Sequence, residues 1–254
     1  MISIAIANQK GGVGKTTTTA ALGSILCDRG FQVLMIDMDS QASLTKALGI
    51  GSESQSIADV IGGINPGTLK LSEIVRPVRD GLDLAPSNIL MYTTEMGLVG
   101  RMGRESILKK ALERLSGYDV IFIDCPPSMG MLTINGLVAS QGVIVPSLPA
   151  ESDLQGVRSI LETLRGIEAA GLNPEIDLLG ILVVQFDGRT NEHNRIMDGI
   201  KSAGHPVLGI IPRSVRVQEA MAARKSVTEY APKSRPSLAY FEVADKVMEW
   251  LEEH

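Results

Sequence analysis

The sequence predicts an α/β fold: a doubly wound, mostly parallel twisted sheet with helices on both faces. Three observations carry this. Seven apolar runs of strand length are mostly Val/Ile-rich and continuous rather than alternating, as strands covered on both faces are. Stretches of helical period lie between them, and strand–helix–strand alternation calls for parallel pairing. A glycine-rich turn joins the first run to the first helical stretch.

The strands are expected at 2–7, 33–36, 82–85, 120–123, 143–145, 181–184 and 207–211, and the helices at 16–29, 104–115, 131–139, 154–170, 191–203 and 238–251. Residues 49–81, with Gly49, Gly51, Gly62, Gly63, Pro66 and Gly67, read as an excursion of short helices on the surface. No Ser/Gly/Pro linker and no internal repeat divides the chain, so 1–254 is expected to form a single domain.

Composition narrows the class. With 44% hydrophobic and 21% charged residues the chain is neither disordered nor fibrous, and at 4% aromatic its core has to be aliphatic. Cys27 and Cys125 cannot build a disulfide framework, and neither has a Cys or His at metal-ligand spacing, so a reducing, cytosolic setting is expected. The uncharged stretch 125–150 is long enough to span a bilayer, but its four prolines and three glycines read as a loop, a helix and a buried strand. Net charge is −5, yet residues 189–235 hold nine Lys/Arg against four Asp/Glu, a local +5 in a chain whose remainder carries −10. That segment is a candidate surface for an anionic partner.

In a doubly wound sheet, ligands sit outside the carboxyl ends of the strands. After the first strand comes Gln9-Lys10-Gly11-Gly12-Val13-Gly14-Lys15-Thr16-Thr17. Gln9 stands where the strict phosphate-loop pattern has glycine, but the physics survives. Glycines 11, 12 and 14 let the backbone turn its N–H groups inward, and with the helix N-terminus they cradle phosphate oxygens. Lys15 is placed to neutralise β/γ-phosphates and the Thr16 hydroxyl to ligate Mg²⁺. The second strand ends in Asp37-Met38-Asp39, acids at i, i+2 that point the same way in extended structure. The run 120–123 delivers Asp124, a hydrophobic strand ending in the carboxylate that holds Mg²⁺ through water. Cys125 beside it reads as a small packing residue.

K-G-G-x-G-K-T-T, with Lys10 inside the nest, is the deviant Walker A motif, and here the sequence resembles the ParA/MinD superfamily of partitioning and positioning ATPases. The resemblance covers nearly the whole chain. It implies a P-loop NTPase fold with ATP and Mg²⁺ as cofactors, and a homodimer formed on ATP binding in which Lys10 reaches the partner's phosphates. It makes Asp39, in the D-x-D-x-Q switch I segment, the residue that positions the attacking water close to the metal. Asp37 would support that loop, and Asp124-Cys125-Pro126-Pro127 would be switch II. Ser40 and Ala42 depart from switch I, where proline and glycine are usual. The segments from Asp187 and Ile211 resemble the family's D-x-R-T-N and I-P-R-x-x-R-x-x-E-A, and the resemblance implies that Pro212 and Arg213 would flank the nucleotide base and Arg189 and Arg216 would contact DNA. Lys225, Lys233 and Arg235 extend the same basic segment.

No helix-turn-helix can be recognised, so the implied DNA binding is non-specific, through phosphates alone. The family further implies a ParB-like or other cargo adaptor that stimulates slow ATP hydrolysis, and a nucleoid-associated cytoplasmic location. A MinD-like, membrane-associated reading needs a basic amphipathic C-terminal helix. The tail 241–254 has five acids to one lysine, so stable membrane association is not expected. Amide ligases and synthetases with related loops form a third class, which an absence of ATP-dependent DNA affinity would favour.

Overall fold

The computed structural model describes residues 1–51, 55–62 and 69–254. In its first half come β1 (Ile2–Ile6), α1 (Lys15–Asp28), β2 (Val33–Asp37), α2 (Ser43–Ala47), α3 (Ile57–Gly62), α4 (Leu71–Ile74), β3 (Arg76–Arg79), β4 (Leu82–Ala85) and α5 (Leu90–Gly97). A 3-10 turn at Arg104–Ser106 runs into α6 (Ile107–Leu112), followed by β5 (Val120–Asp124) and α7 (Met131–Val138). Then come β6 (Gly142–Ser147), α8 (Glu151–Ala169), β7 (Asp177–Phe186), α9 (Asn191–Ser202) and β8 (Val207–Pro212). The chain closes with α10 (Val215–Ala222), α11 (Val227–Tyr230) and α12 (Arg235–Glu253).

The strands form one sheet in the order β3-β4-β2-β5-β1-β6-β7-β8, parallel throughout except for β3 on β4. Alternate strand residues feed two apolar layers. Ile4, Ile6, Met35 and Phe122 pack with α1 and α12, while Ala5, Ile36, Ile123 and Val145 pack with α3 and α5 to α8. Both faces are covered, which is why the strands are apolar without alternation. From β1 the chain winds outward to β2 and β4, returns through β5, and crosses to β6, β7 and β8. Strand order thus reverses around β1, and the crevice lies at its carboxyl end.

All seven expected strands are present. The eighth, β3, reads Arg76-Pro77-Val78-Arg79, a short polar edge strand whose proline is tolerated only at an edge. It turns into β4 through Asp80-Gly81, with Gly81 at φ +76°. Several helix expectations need correction. Helix α8 starts at Glu151 and α12 at Arg235, each three residues earlier than periodicity gave, because their first turns are polar. The 104–115 helix opens as a 3-10 turn and stops at Leu112. Helices α2, α5, α10 and α11 lie outside the expected set.

In 49–81, the described short helices are not confined to the surface: Ile57, Ala58, Val60, Ile61, Leu71 and Ile74 are buried. Gly63, Pro66 and Gly67 lie outside the described residues. Among the described residues no helix is long and apolar enough to cross a membrane.

Candidate active site

The loops following β1, β2 and β5 converge at the centre of the sheet's carboxyl edge. After β1, Gly12 and Gly14 take φ +75° and +80°, a conformation a side chain would strain, and α1 begins directly at Lys15. This turns the loop's N–H groups and the α1 N-terminus toward one point, the geometry that receives phosphate. Val13 is fully buried and pins the loop, Thr17 is half-buried on the first turn of α1, and Gly11 is exposed. Gln185, itself at φ +56°, donates from Nε2 to the Gly12 carbonyl at 3.3 Å and ties the loop to the end of β7.

Lys15 is 7% exposed, and its Nζ donates to the Lys10 carbonyl at 3.0 Å. Burial lowers its pKa, opposed by Asp124, Cys125 and Asp39, so its ammonium lies within the field of the two carboxylates it was expected to serve with. The Thr16 hydroxyl donates to Asp124 Oδ2 at 2.7 Å. Burial, with the neighbouring Asp37, pushes Asp124 well above the usual carboxylate range.

Asp124 Oδ1 is buried without a hydrogen-bond partner. A buried carboxylate oxygen with no donor, beside a hydroxyl and an ammonium, is suited to a cation. Among the described residues no cluster of three or more His, Cys, Asp and Glu could make an all-protein cage. That donor set fits Mg²⁺, which takes one or two carboxylates and completes its shell with phosphate oxygens and water.

The two acids after β2 do not share one face. Strand β2 ends at Asp37, whose carboxylate is fully buried and turned back into the protein. Its Oδ1 accepts from Asp39 N at 3.1 Å, and its Oδ2 accepts from Thr45 N at 2.8 Å and from the Thr45 hydroxyl at 2.7 Å. Burial raises its pKa to about 6. Asp39 sits beyond the strand. The Ser87 hydroxyl donates to its carbonyl at 2.7 Å, and its Oδ1 accepts from Gln41 N at 2.9 Å. Of the three residues expected at the metal, Thr16 and Asp124 are hydrogen-bonded to each other and Asp39 lies outside that pair.

Lys10 folds back on its own chain. Its Nζ pairs with Asp153 Oδ2 at 2.5 Å and donates to Ser152 Oγ at 2.9 Å, both on the first turn of α8. Asn8 steadies the same corner: its Oδ1 accepts from Lys10 N at 3.1 Å and its Nδ2 donates to the Pro146 carbonyl at 2.7 Å. Sequence reasoning did not single out Asn8, Asp153, Thr45, Ser87 or Gln185.

The second group of expected residues lies at the other end of this edge. Phe186 and Pro212 are register partners on β7 and β8, and Arg213 N donates to the Phe186 carbonyl at 3.0 Å. Strand β8 is three strands from β1, or ~14 Å at the usual strand spacing. Arg189 pairs with Asp187 at 2.7 Å and Arg216 with Glu219 at 2.8 Å. Lys225, Lys233 and Arg235 are exposed. The last two precede or open α12, whose far end reaches the starts of β8 and β7 through Lys246 to the Leu208 carbonyl and Trp250 to Asp177. The N-terminus of α12 therefore lies on the carboxyl side, as Arg189 and Arg216 do.

Comparison with known proteins places this arrangement. The AAA domain family matches residues 1–178. Chromosome-partitioning ATPase Soj of Thermus thermophilus is 39% identical over 254 residues, covering 98% of this chain and 96% of that protein. The sporulation initiation inhibitor protein Soj of Bacillus subtilis is 37% identical over 248 residues, covering 96% of this chain and 97% of that protein. The chain belongs to the ParA/Soj family of partition ATPases.

A solved structure described as cobyrinic acid a,c-diamide synthase from Mycobacterium smegmatis, with bound ADP and magnesium, is also similar. It is 35% identical with a TM-score of 0.86, covering 100% of this chain and 97% of that one. As in other P-loop proteins of the ParA/MinD type, the sheet is mostly parallel and flanked by helices.

Proposed function

We propose that this ParA/Soj family member is a Mg²⁺-dependent ATPase that dimerises around ATP and binds DNA without sequence preference in that state. A ParB-like or other cargo adaptor would stimulate slow hydrolysis, and the protein would work on the cytoplasmic nucleoid as one ATPase domain spanning 1–254. The observation that carries the reading is the Lys15–Thr16–Asp124 cluster at the mouth of the glycine nest, with the buried Asp124 Oδ1 lacking a partner. Bound ADP and magnesium in the similar solved structure support ATP and Mg²⁺ here.

Thr16 and Asp124 would hold the ion, which supplies charge neutralisation to the phosphates. Lys15 neutralises its own chain's β/γ-phosphates. Asp39, its backbone fixed through Asp37 and Ser87, orients water, and Pro212 and Arg213 flank the base. Lys10 exchanges Asp153 for the partner's phosphates. Arg189, Arg216, Lys225, Lys233 and Arg235 contact DNA phosphates, and dimerisation doubles their number.

The MinD-like reading is disfavoured by α12. Its apolar stripe, Tyr240, Val243, Ala244 and Val247, is buried against the sheet, and its outer face is acidic. Amide synthesis coupled to glutamine hydrolysis needs a thiolate nucleophile. Among the described residues both cysteines are buried, and burial pushes both thiols up.

Fluorescence anisotropy on two unrelated duplexes with ATP, ADP or no nucleotide tests the proposal. Equal affinity for both duplexes, present with ATP and weak with ADP, is expected. Affinity that ignores the nucleotide removes the switch and returns the amide-ligase class to consideration.

A further inference from the structure

Helix α5 and the turns flanking it are apolar on two opposite faces. Met91, Thr94 and Leu98 are buried against the domain. Ile89, Tyr92, Met96 and Val99 recur at i, i+3, i+7 and i+10, a single stripe on the opposite side, and they are 68%, 63%, 61% and 77% exposed. A helix that carries apolar residues on two opposite faces is suited to being covered on both. Residues 88–100 contain one charged group, Glu95, and its Oε1 is turned inward to accept from Leu132 N at 3.4 Å. The outer face is therefore uncharged, which offers a phosphate backbone no cation and suits the apolar centre of a protein interface.

Its position selects the occupant. The turn into α5 follows β4 at the carboxyl edge, and Ser87 there is bonded to Asp39. Glu95 ties the helix to the N-terminus of α7, just past the loop that leaves Asp124. Strand β4 stands three strands from β1, so the helix begins ~14 Å from the nucleotide nest along that edge. A specific interface of ~800 Å² per partner has a radius of about 16 Å. A dimer centred on the two nests would thus extend onto the exposed stripe.

We propose that the outer face of α5 docks against a second copy of this chain. It would supply the apolar part of the nucleotide-dependent dimer interface, whose polar part is made by Lys10 and the phosphates. This rests on the ATP-dependent dimer proposed above. It adds a coupling, because the turn before the helix is bonded to Asp39 after β2 and Glu95 to the first turn of α7, which follows the β5 loop.

Sedimentation velocity with Mg²⁺ and a slowly hydrolysed ATP analogue, on the full chain and on Tyr92→Glu with Met96→Glu, separates the two ideas. Both positions are exposed, so the variant should fold, and a fluorescent ATP analogue should bind its monomer as tightly as wild type. The expected result is dimeric wild type and a variant whose dimer dissociation constant is weaker by about a hundredfold, as unpaired charges trapped at an apolar interface require. Hydrogen exchange at 89–99 should slow on dimerisation in wild type only. A wild type that stays monomeric overturns the dimer reading itself. A wild type and a variant that dimerise equally, with exchange at 89–99 unchanged, overturn only the assignment of α5 and give the stripe to an adaptor protein.

Discussion

The two ends of the sheet's carboxyl edge treat charge in opposite ways. Around β1, β2 and β5 three ionisable groups are buried: Asp37 and Asp124 are at most 1% exposed and Lys15 is 7% exposed. Beyond β7 and β8 the bases stand in solvent, with the Arg189 side chain 91% exposed. Buried charge is costly unless paired, so a cluster of it persists where geometry matters to one ligand. Exposed charge costs little, and such a surface acts through number and sign rather than exact placement. Substitutions should therefore have sharp, local effects at the first end and graded, salt-sensitive effects at the second.

The largest expected effect is at the buried end. Lys15→Ala should weaken ATP binding by about a thousandfold through loss of charge-assisted bonds to phosphate, measured by equilibrium binding of a fluorescent analogue. A loss below tenfold would make Lys15 an ordinary loop lysine. Asp39→Ala should leave ATP affinity within a few-fold of wild type and lower turnover by about a hundredfold, the scale of a positioned proton acceptor. A phosphate-release assay decides it, and wild-type turnover would remove Asp39 from the chemistry.

At the exposed end, Arg189→Glu with Arg216→Glu should weaken DNA binding by roughly tenfold or more and flatten its salt dependence from a log–log slope near −5, set by ~6 phosphate contacts. Unchanged affinity and slope would move the DNA surface elsewhere or replace DNA with a protein partner.

Two smaller effects test how each loop is held. Lys10→Ala strands the buried Asp153 carboxylate, at a cost of about 1–2 kcal/mol after allowance for the lysine's partial exposure. Adding Asp153→Ala should restore much of the lost melting temperature, whereas additive losses would show that the pair is not coupled. Ala42 holds φ +51° at the N-cap of α2, so Ala42→Gly should raise stability by about 0.5–1 kcal/mol in urea unfolding. No gain would mean that the unfolded chain's added freedom cancels the relief.

The same contrast explains what the sequence reveals. Glycines 11, 12 and 14 with Lys15 and Thr16 are legible because a phosphate nest needs those residue types at that spacing, and Asp124 because an apolar strand delivers it. Seven strands are legible because both their faces are covered. Strand β3 is not, since an edge strand needs no apolar run. Helix α5 hid for a different reason: with apolar residues on both faces it has no helical stripe to detect. The cis partner of Lys10 is out of reach of the sequence because Asp153 is 143 residues away and is brought close by the β1–β6 pairing. Asp37 and Asp39 do not point the same way because the i, i+2 rule holds within a strand and β2 ends at Asp37, whose bonds to Asp39 N and Thr45 suit the loop-supporting role instead.

Arg189 and Arg216 each arrive at the surface already carrying a counterion. Asp187 is bonded to Arg189 through both carboxylate oxygens and is held far below the usual carboxylate range, so it stays ionised at any physiological pH. Glu219 does the same office for Arg216 one turn along α10. A phosphate that engages either guanidinium has to displace an internal rival, and the rival stays nearby as a negative charge. The basic edge is then a set of exchangeable ion pairs, whose pull on a polyanion is set by the two acids as much as by the two arginines. If this edge binds DNA as proposed, removing the Asp187 charge should strengthen the attachment.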